Sequence, residues 1–235
     1  MFPIRDHNPS AGVPYVTCGL IALNVAVFLW LYVAAGPSIS RDYAIYHYGM
    51  VPARLSHGKG YVTLVTSMFL HGGWWHIAGN MLFLWIFGDN LEAAFGRLRF
   101  LVFYLICGVV AALAQYAADP HAMAPVVGAS GAIAGVMGGY LLLYPSARID
   151  VLFIFIVFFR VFQIPAWTVL GVWLGLQVFD FAGGGAGGVV AYWEHFGGFA
   201  AGFLLSLPVK LRQIPAPPPE LPPRKTTIPA TRRRE

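Results

Sequence analysis

The chain has 235 residues, of which 58% are hydrophobic and 11% charged; roughly 45–50% apolar is usual for a soluble domain. A water-soluble fold of this composition would be hard to keep dispersed, and the long uncharged runs lack the alternating polarity of a membrane β-barrel. The formal net charge is +5, and much of it sits in a C-terminal tail. Beside a membrane domain, that tail points to anionic lipid at the cytoplasmic face rather than to nucleic acid.

In chain order, residues 1–14 carry Arg5, Asp6 and His7 and are expected to form a cytoplasmic N-terminal segment. No small-residue cleavage site follows the first apolar run, so none of it is expected to be removed as a signal peptide. Apolar runs near the roughly 20 residues that cross a bilayer predict spans at 15–35, 74–95, 100–118, 127–144, 165–182 and 189–209. Cys18 and Cys107 lie inside such runs, where a thiol is a small packing residue rather than part of a disulfide framework. The connection 36–73 is much longer than the others and mixes aromatic and apolar residues that suit a membrane surface. Residues 151–159 are apolar but too few to cross as a helix, which predicts an interfacial or partly re-entrant connection. From residue 211 onward, prolines and basic residues read as a disordered tail.

Six spans put both termini on one side. With that side cytoplasmic, twelve of the fifteen Lys and Arg residues fall inside and only Arg41, Arg54 and Lys59 outside, as the positive-inside rule requires. The fold class expected is therefore an all-α polytopic membrane protein with six transmembrane helices.

Polar residues inside such spans usually mark function. His76 and Asn80 are four apart, hence on one helical face; Ser130 opens the fourth span within Gly128-Ala129-Ser130-Gly131; Glu194 and His195 open the sixth. Spans two, four and six all begin on the outer side, so these residues are expected at one depth around one water-filled cavity. A serine beside a histidine there suggests nucleophile and base. Small residues in membrane helices more often permit close packing than catalysis, and the spacings Gly131/Gly135 and Gly198/Gly202 fit helix contact whatever the chemistry. His71 is expected to be a structural donor to the outer loop. A metal site from His71, His76 and His195 is disfavoured, because five-residue spacing is poor for sharing a ligand position. A proton-coupled transporter is the other alternative, with Glu194 and Asp180 as its only acid candidates.

Together, the Gly128–Gly131 motif, His71, His76, Asn80, and His195 followed by Gly198 and Gly202 resemble the rhomboid intramembrane proteases. The opening Ile4-Arg5-Asp6-His7-Asn8-Pro9, the stretch Thr66-Ser67-Met68-Phe69-Leu70-His71-Gly72-Gly73, and Gly88-Asp89 with Glu92 are similar to the bacterial branch. The resemblance implies a rhomboid-like six-helix bundle over 15–210 and a Ser130–His195 dyad without a third acid. It also implies an oxyanion site from Asn80, His76 and the Ser130 amide, no metal or cofactor, and cleavage of single-span or polytopic membrane proteins in a bacterial inner membrane. The intact dyad favours an active enzyme over a rhomboid-like pseudoprotease that only binds membrane clients. The glycine-rich stretch 183–188 suits a mobile cap or, equally, a merely flexible linker.

The chain departs from the family pattern in three places. Val62 and Thr63 stand where many members place a Trp-Arg pair in the outer loop. Ala134 stands one turn after Ser130, where some members pack an aromatic on the catalytic histidine, so either another side chain orients His195 or its ring is held more loosely. Glu194 stands where a small residue is common. Successive helical side chains point about 100° apart, so Glu194 is not expected to reach the ring of His195 as a third catalytic group.

Overall fold

The computed structural model describes residues 2–8, 12–34, 38–155, 158–182 and 191–213. The expected cap at 183–188 and the tail beyond 213 lie outside the described residues. The fold is mostly helical. Strand β1 (Phe2–Asp6) leads to helix α1 (Tyr15–Leu29), which runs on into a π-helical turn, Trp30–Ala34. The short helices α2 (Ser38–Tyr48), α3 (Pro52–Ser56) and α4 (Thr63–Thr66) follow, then the long helices α5 (Trp74–Phe95) and α6 (Arg97–Ala118). Next come α7 (Ser130–Leu143), strands β2 (Arg148–Phe155) and β3 (Phe158–Pro165), α8 (Ala166–Ala182) and α9 (Tyr192–Gln213).

Six helices of 14 or more residues overlap the six expected spans. Among the described residues, two apolar segments, Tyr15–Tyr32 and Arg97–Ala118, are long and apolar enough to cross a membrane by length and composition. Helix α9 continues through Gln213, three residues into the stretch expected to be tail. Gly96 separates α5 from α6 with a φ of 80°, a left-handed conformation that glycine adopts without steric cost. One residue therefore suffices to turn the chain.

Helix α7 is the axis of the bundle, with every residue from 131 to 140 buried. It meets α9 backbone to backbone. A Cβ on Gly198 would strike the carbonyl of Gly131, one on Gly202 that of Gly135, and one on Gly138 that of Phe199. The glycine spacings read in the sequence are thus a contact between two helices, in which packing of small residues replaces the hydrophobic drive that lipid cannot supply. Away from this axis the helices turn large apolar side chains outward, among them Leu98, Val102 and Ile106 on α6 and Leu176 and Phe179 on α8.

The expectation of an all-helical chain needs correction at residues 148–165. The run expected as an interfacial connection forms an antiparallel hairpin of β2 and β3, and β1 adds to β2 in antiparallel register, giving the sheet order β1-β2-β3. Ile149 and Val151 alternate inward and are fully buried, as the two-residue period of a strand requires. Their partner is a strand from the other end of the sequence, which local reading of nine apolar residues does not reveal. Asp6 closes the arrangement by accepting hydrogen bonds from the Tyr140 hydroxyl (2.8 Å) and Asn90 Nδ2 (2.8 Å). Burial raises the Asp6 carboxyl above its ordinary pKa, with the Tyr140 hydrogen bond acting against it.

At the opposite end, the segment 38–73 folds into the short helices rather than an open loop. It is tied to the connection before α7 by mutual backbone hydrogen bonds between Met50 and Val126 (3.0 and 2.8 Å). Arg54 donates to the carbonyls of Tyr46 (2.8 Å) and His47 (3.1 Å), and the Thr63 hydroxyl donates to the carbonyl of Gly60 (2.6 Å). These bonds hold the segment that lacks the Trp-Arg pair.

Candidate active site

Helices α5, α7 and α9 all start at the end of the bundle away from the sheet, so their first turns converge. Ser130 is the first residue of α7, where backbone N–H groups have no intrahelical acceptor. Gly128 prepares this start with a φ of 132°, and a Cβ there would lie 2.7 Å from His76 Nε2. Only glycine lets the chain pass so close to the imidazole.

Asn80 is one turn below His76 on α5, and its Nδ2 donates to the His76 carbonyl at 3.0 Å. An amide nitrogen carries two hydrogens, so the second remains for the cavity. The Gly72 amide donates to His76 Nδ1 over 3.4 Å. That leaves the ring proton on Nε2, the atom turned toward Gly128. Glu194 and His195 lie in the first turn of α9. Glu194 is only 5% exposed, and its side chain packs over Gly131, where a Cβ would sit 2.9 Å from Oε1.

Ser130, His195, His76 and Asn80 line one cavity of about 1060 Å³, together with Glu194. The four residues singled out from sequence are thus brought to one place by three helices. The cavity walls also include the apolar Trp75, Phe83, Ile133 and Met137. The chemistry of the cavity suits an apolar peptide segment meeting a hydroxyl, two imidazoles and an amide.

One expectation about a neighbouring residue comes out differently. His71, expected as a hydrogen-bond donor, is 1% exposed, and neither ring nitrogen has a hydrogen-bond partner among the described residues. It stands edge-on to His76 with ring centroids 5.1 Å apart. Burial, and the charge His76 would carry, push its pKa down to about 3, so His71 is a neutral packing residue. His7 is exposed, and its Nε2 lies 2.7 Å from Asp150 Oδ1 of β2.

Sequence reasoning passed over three cavity residues: Gln115, Asp119 and Trp173. It also passed over Gln177, whose Oε1 lies 3.0 Å from His195 Nδ1. A polar amide inside the apolar run 165–182 was the available signal.

A half-buried serine at a helix start, sharing one cavity with two histidines where close-packed glycine-rich helices meet, defines a rhomboid-type architecture. The chain belongs to the rhomboid family: the model of the Rhomboid domain matches residues 58–212. Members of this family are integral membrane proteins, and they include serine proteases. The chain is 31% identical over 192 residues to Rhomboid protein 1, mitochondrial, of Saccharomyces cerevisiae, covering 74% of this chain and 51% of the relative. It is 33% identical over 137 residues to Rhomboid protease GluP of Bacillus subtilis, covering 58% and 26%. It is 29% identical over 194 residues to the human Presenilin-associated rhomboid-like protein, mitochondrial, covering 80% and 49%. The chain spans about half or less of the length of these curated relatives.

Proposed function

We propose that this chain is an intramembrane serine endopeptidase that cleaves single-span or polytopic membrane proteins within or beside their membrane segments. The observation that carries this reading is the convergence of Ser130, His195, His76 and Asn80 on one cavity from the first two turns of three helices. Ser130 Oγ attacks the scissile carbonyl while His195 Nε2 takes its proton and returns it to the leaving amine. The resulting oxyanion is held by the second Asn80 amide hydrogen, His76 Nε2–H and the Ser130 backbone N–H, donors fixed before the charge develops. Water then hydrolyses the acyl-enzyme with His195 again as base. The reaction balances without metal or cofactor.

The bilayer placement belongs to the same proposal. Six helices cross, the protease domain runs over 15–210, and both the N-terminal segment 1–14 and the tail 211–235 lie in the cytoplasm of a bacterial inner membrane. The outward apolar faces of α6 and α8 support lipid contact.

The test is cleavage, in liposomes, of a single-span substrate with helix-weakening residues near its outer end. Wild type should yield a cut that Ser130→Ala does not. Identical behaviour of the two across a panel of substrates would instead favour a pseudoprotease that binds membrane clients.

A further inference from the structure

An imidazole can take a proton from Ser130 at Nε2 only if its own proton sits on Nδ1. In aqueous serine proteases a buried carboxylate enforces that tautomer. Here the neighbouring acid, Glu194, turns away onto Gly131, and the position one turn below Ser130 is Ala134, which is fully buried and offers no ring to pack on the histidine. Yet His195 is not unsupported. Its Nδ1 lies 3.0 Å from Gln177 Oε1, and the Trp173 indole stands 5.7 Å from its ring at 47°. Gln177 and Trp173 are four apart on α8, hence on one helical face.

We propose that Gln177 is the positioning residue for the general base: its side-chain carbonyl accepts the His195 Nδ1–H, holds the proton on that nitrogen and leaves Nε2 free for Ser130, while Trp173 limits ring rotation. This inference rests on the protease reading of the same site. An amide oxygen is a neutral acceptor, so it selects the tautomer without adding a charge to the site. Turned the other way, the amide NH₂ would donate to Nδ1, force the proton onto Nε2 and block the base.

The placement on α8 is also informative. The buried residues of this helix, Ala166, Val169 and Leu170, are confined to its first turns, and further along it exposes Leu176, Val178 and Phe179. Gln177 and Trp173 are thus the points where the outer half of α8 reaches the reacting group on α9. Gln177 lies between the exposed Leu176 and Val178, which a purely packing role on a lipid-facing stretch does not explain.

The test joins a spectroscopic readout to a kinetic one. In full-length protein carrying ¹⁵N-histidine, the His195 signals are identified by their loss in His195→Ala. Wild type and Gln177→Glu, which keeps an acceptor oxygen, should show a protonated Nδ1 and an unprotonated Nε2. Gln177→Met, of similar length but without the acceptor, should show both tautomers. Its kcat should fall about tenfold, the scale of one neutral hydrogen bond, at little changed KM and unchanged thermal melting, and Gln177→Glu should recover most of the loss. Gln177→Leu serves as a second deletion if the Met variant folds poorly. A wild-type His195 protonated at Nε2, or a Met variant with unaltered tautomer and kcat, overturns the assignment. A wild type that cleaves nothing would sink the protease reading separately, because the ring state is measured without turnover.

Discussion

At the end of the bundle that carries the sheet, buried polar groups are closely paired. Glu92 of α5 accepts from the amides of Val16 (3.0 Å) and Thr17 (2.8 Å) and from the Thr17 hydroxyl (2.9 Å), setting a carboxylate at the N-terminus of α1 where the helix dipole favours it. Asp6, Asn8, Asn90 and Tyr140 form a second cluster, in which Asn8 Nδ2 donates to Asn90 Oδ1 at 2.6 Å. At the other end, Oε1 of Gln115, a residue that lines the cavity, is buried without a hydrogen-bond partner among the described residues. The contrast is physical: paired polar groups hold helices together at one end, while the other keeps an unspent acceptor at a cavity. Unpaired buried polar groups destabilise a fold, and they persist where a substrate or water is to meet them.

The comparison predicts that substitutions of the cavity-lining Ser130, His195 and Asn80 change turnover and leave melting alone, while those at the sheet end do the reverse. The largest effect is expected for Ser130→Ala and His195→Ala, each abolishing cleavage, with the double variant no worse. Groups that act as one unit behave this way, with losses on the order of 10⁶-fold in an aqueous serine protease. Additive losses would break the dyad assignment. Asn80→Ala should lower kcat by about 10²-fold with little change in KM, the scale of removing one oxyanion donor; an unchanged kcat would exclude Asn80 from that role.

At the sheet end, Glu92→Ala should cost about 3 kcal/mol in reversible unfolding, since it leaves two amides and a hydroxyl without their acceptor. Activity per folded molecule should be retained. A fall in kcat without a fall in stability would show that the two ends are coupled rather than separate.

A further effect, absent at neutral pH, appears on acidification. The pKa of His71 is pushed from 6.5 down to about 3 in the folded chain, so below pH 6.5 the unfolded chain binds a proton that the folded one refuses. Stability contributed by the neutral ring is present above 6.5 and is lost as pH falls toward 3. Melting temperatures of wild type should drop across that window, and His71→Gln should flatten the slope. Equal slopes in the two proteins would mean that the buried ring is not what the acid attacks.

The residues at the cavity were legible because each announces itself locally. His76 and Asn80 share a helical face by spacing alone, and Ser130 and His195 interrupt apolar runs at the start of a span. Gln177 interrupts such a run too, but nothing local says that its partner is a histidine on another helix. The three-stranded sheet was illegible for a related reason: pairing of Phe2 with Leu152 and of Asp6 with Ile149 joins residues far apart in sequence. The side chains of 151–159 show no alternating polarity to betray a strand.

By itself, the sequence determined the membrane class, the positions of the long helices, the glycine faces that let α7 and α9 touch, and which polar residues are out of place in apolar surroundings. All of these follow from composition and helical periodicity, which act over one or two turns. Only the tertiary structure decided that 148–165 is a hairpin completed by the N-terminal strand, that His71 is packed rather than bonded, and that the Nδ1 of His195 faces an amide on α8. Each depends on which surfaces meet across the bundle, and a hydrogen bond between distant segments leaves no periodic trace in either of them.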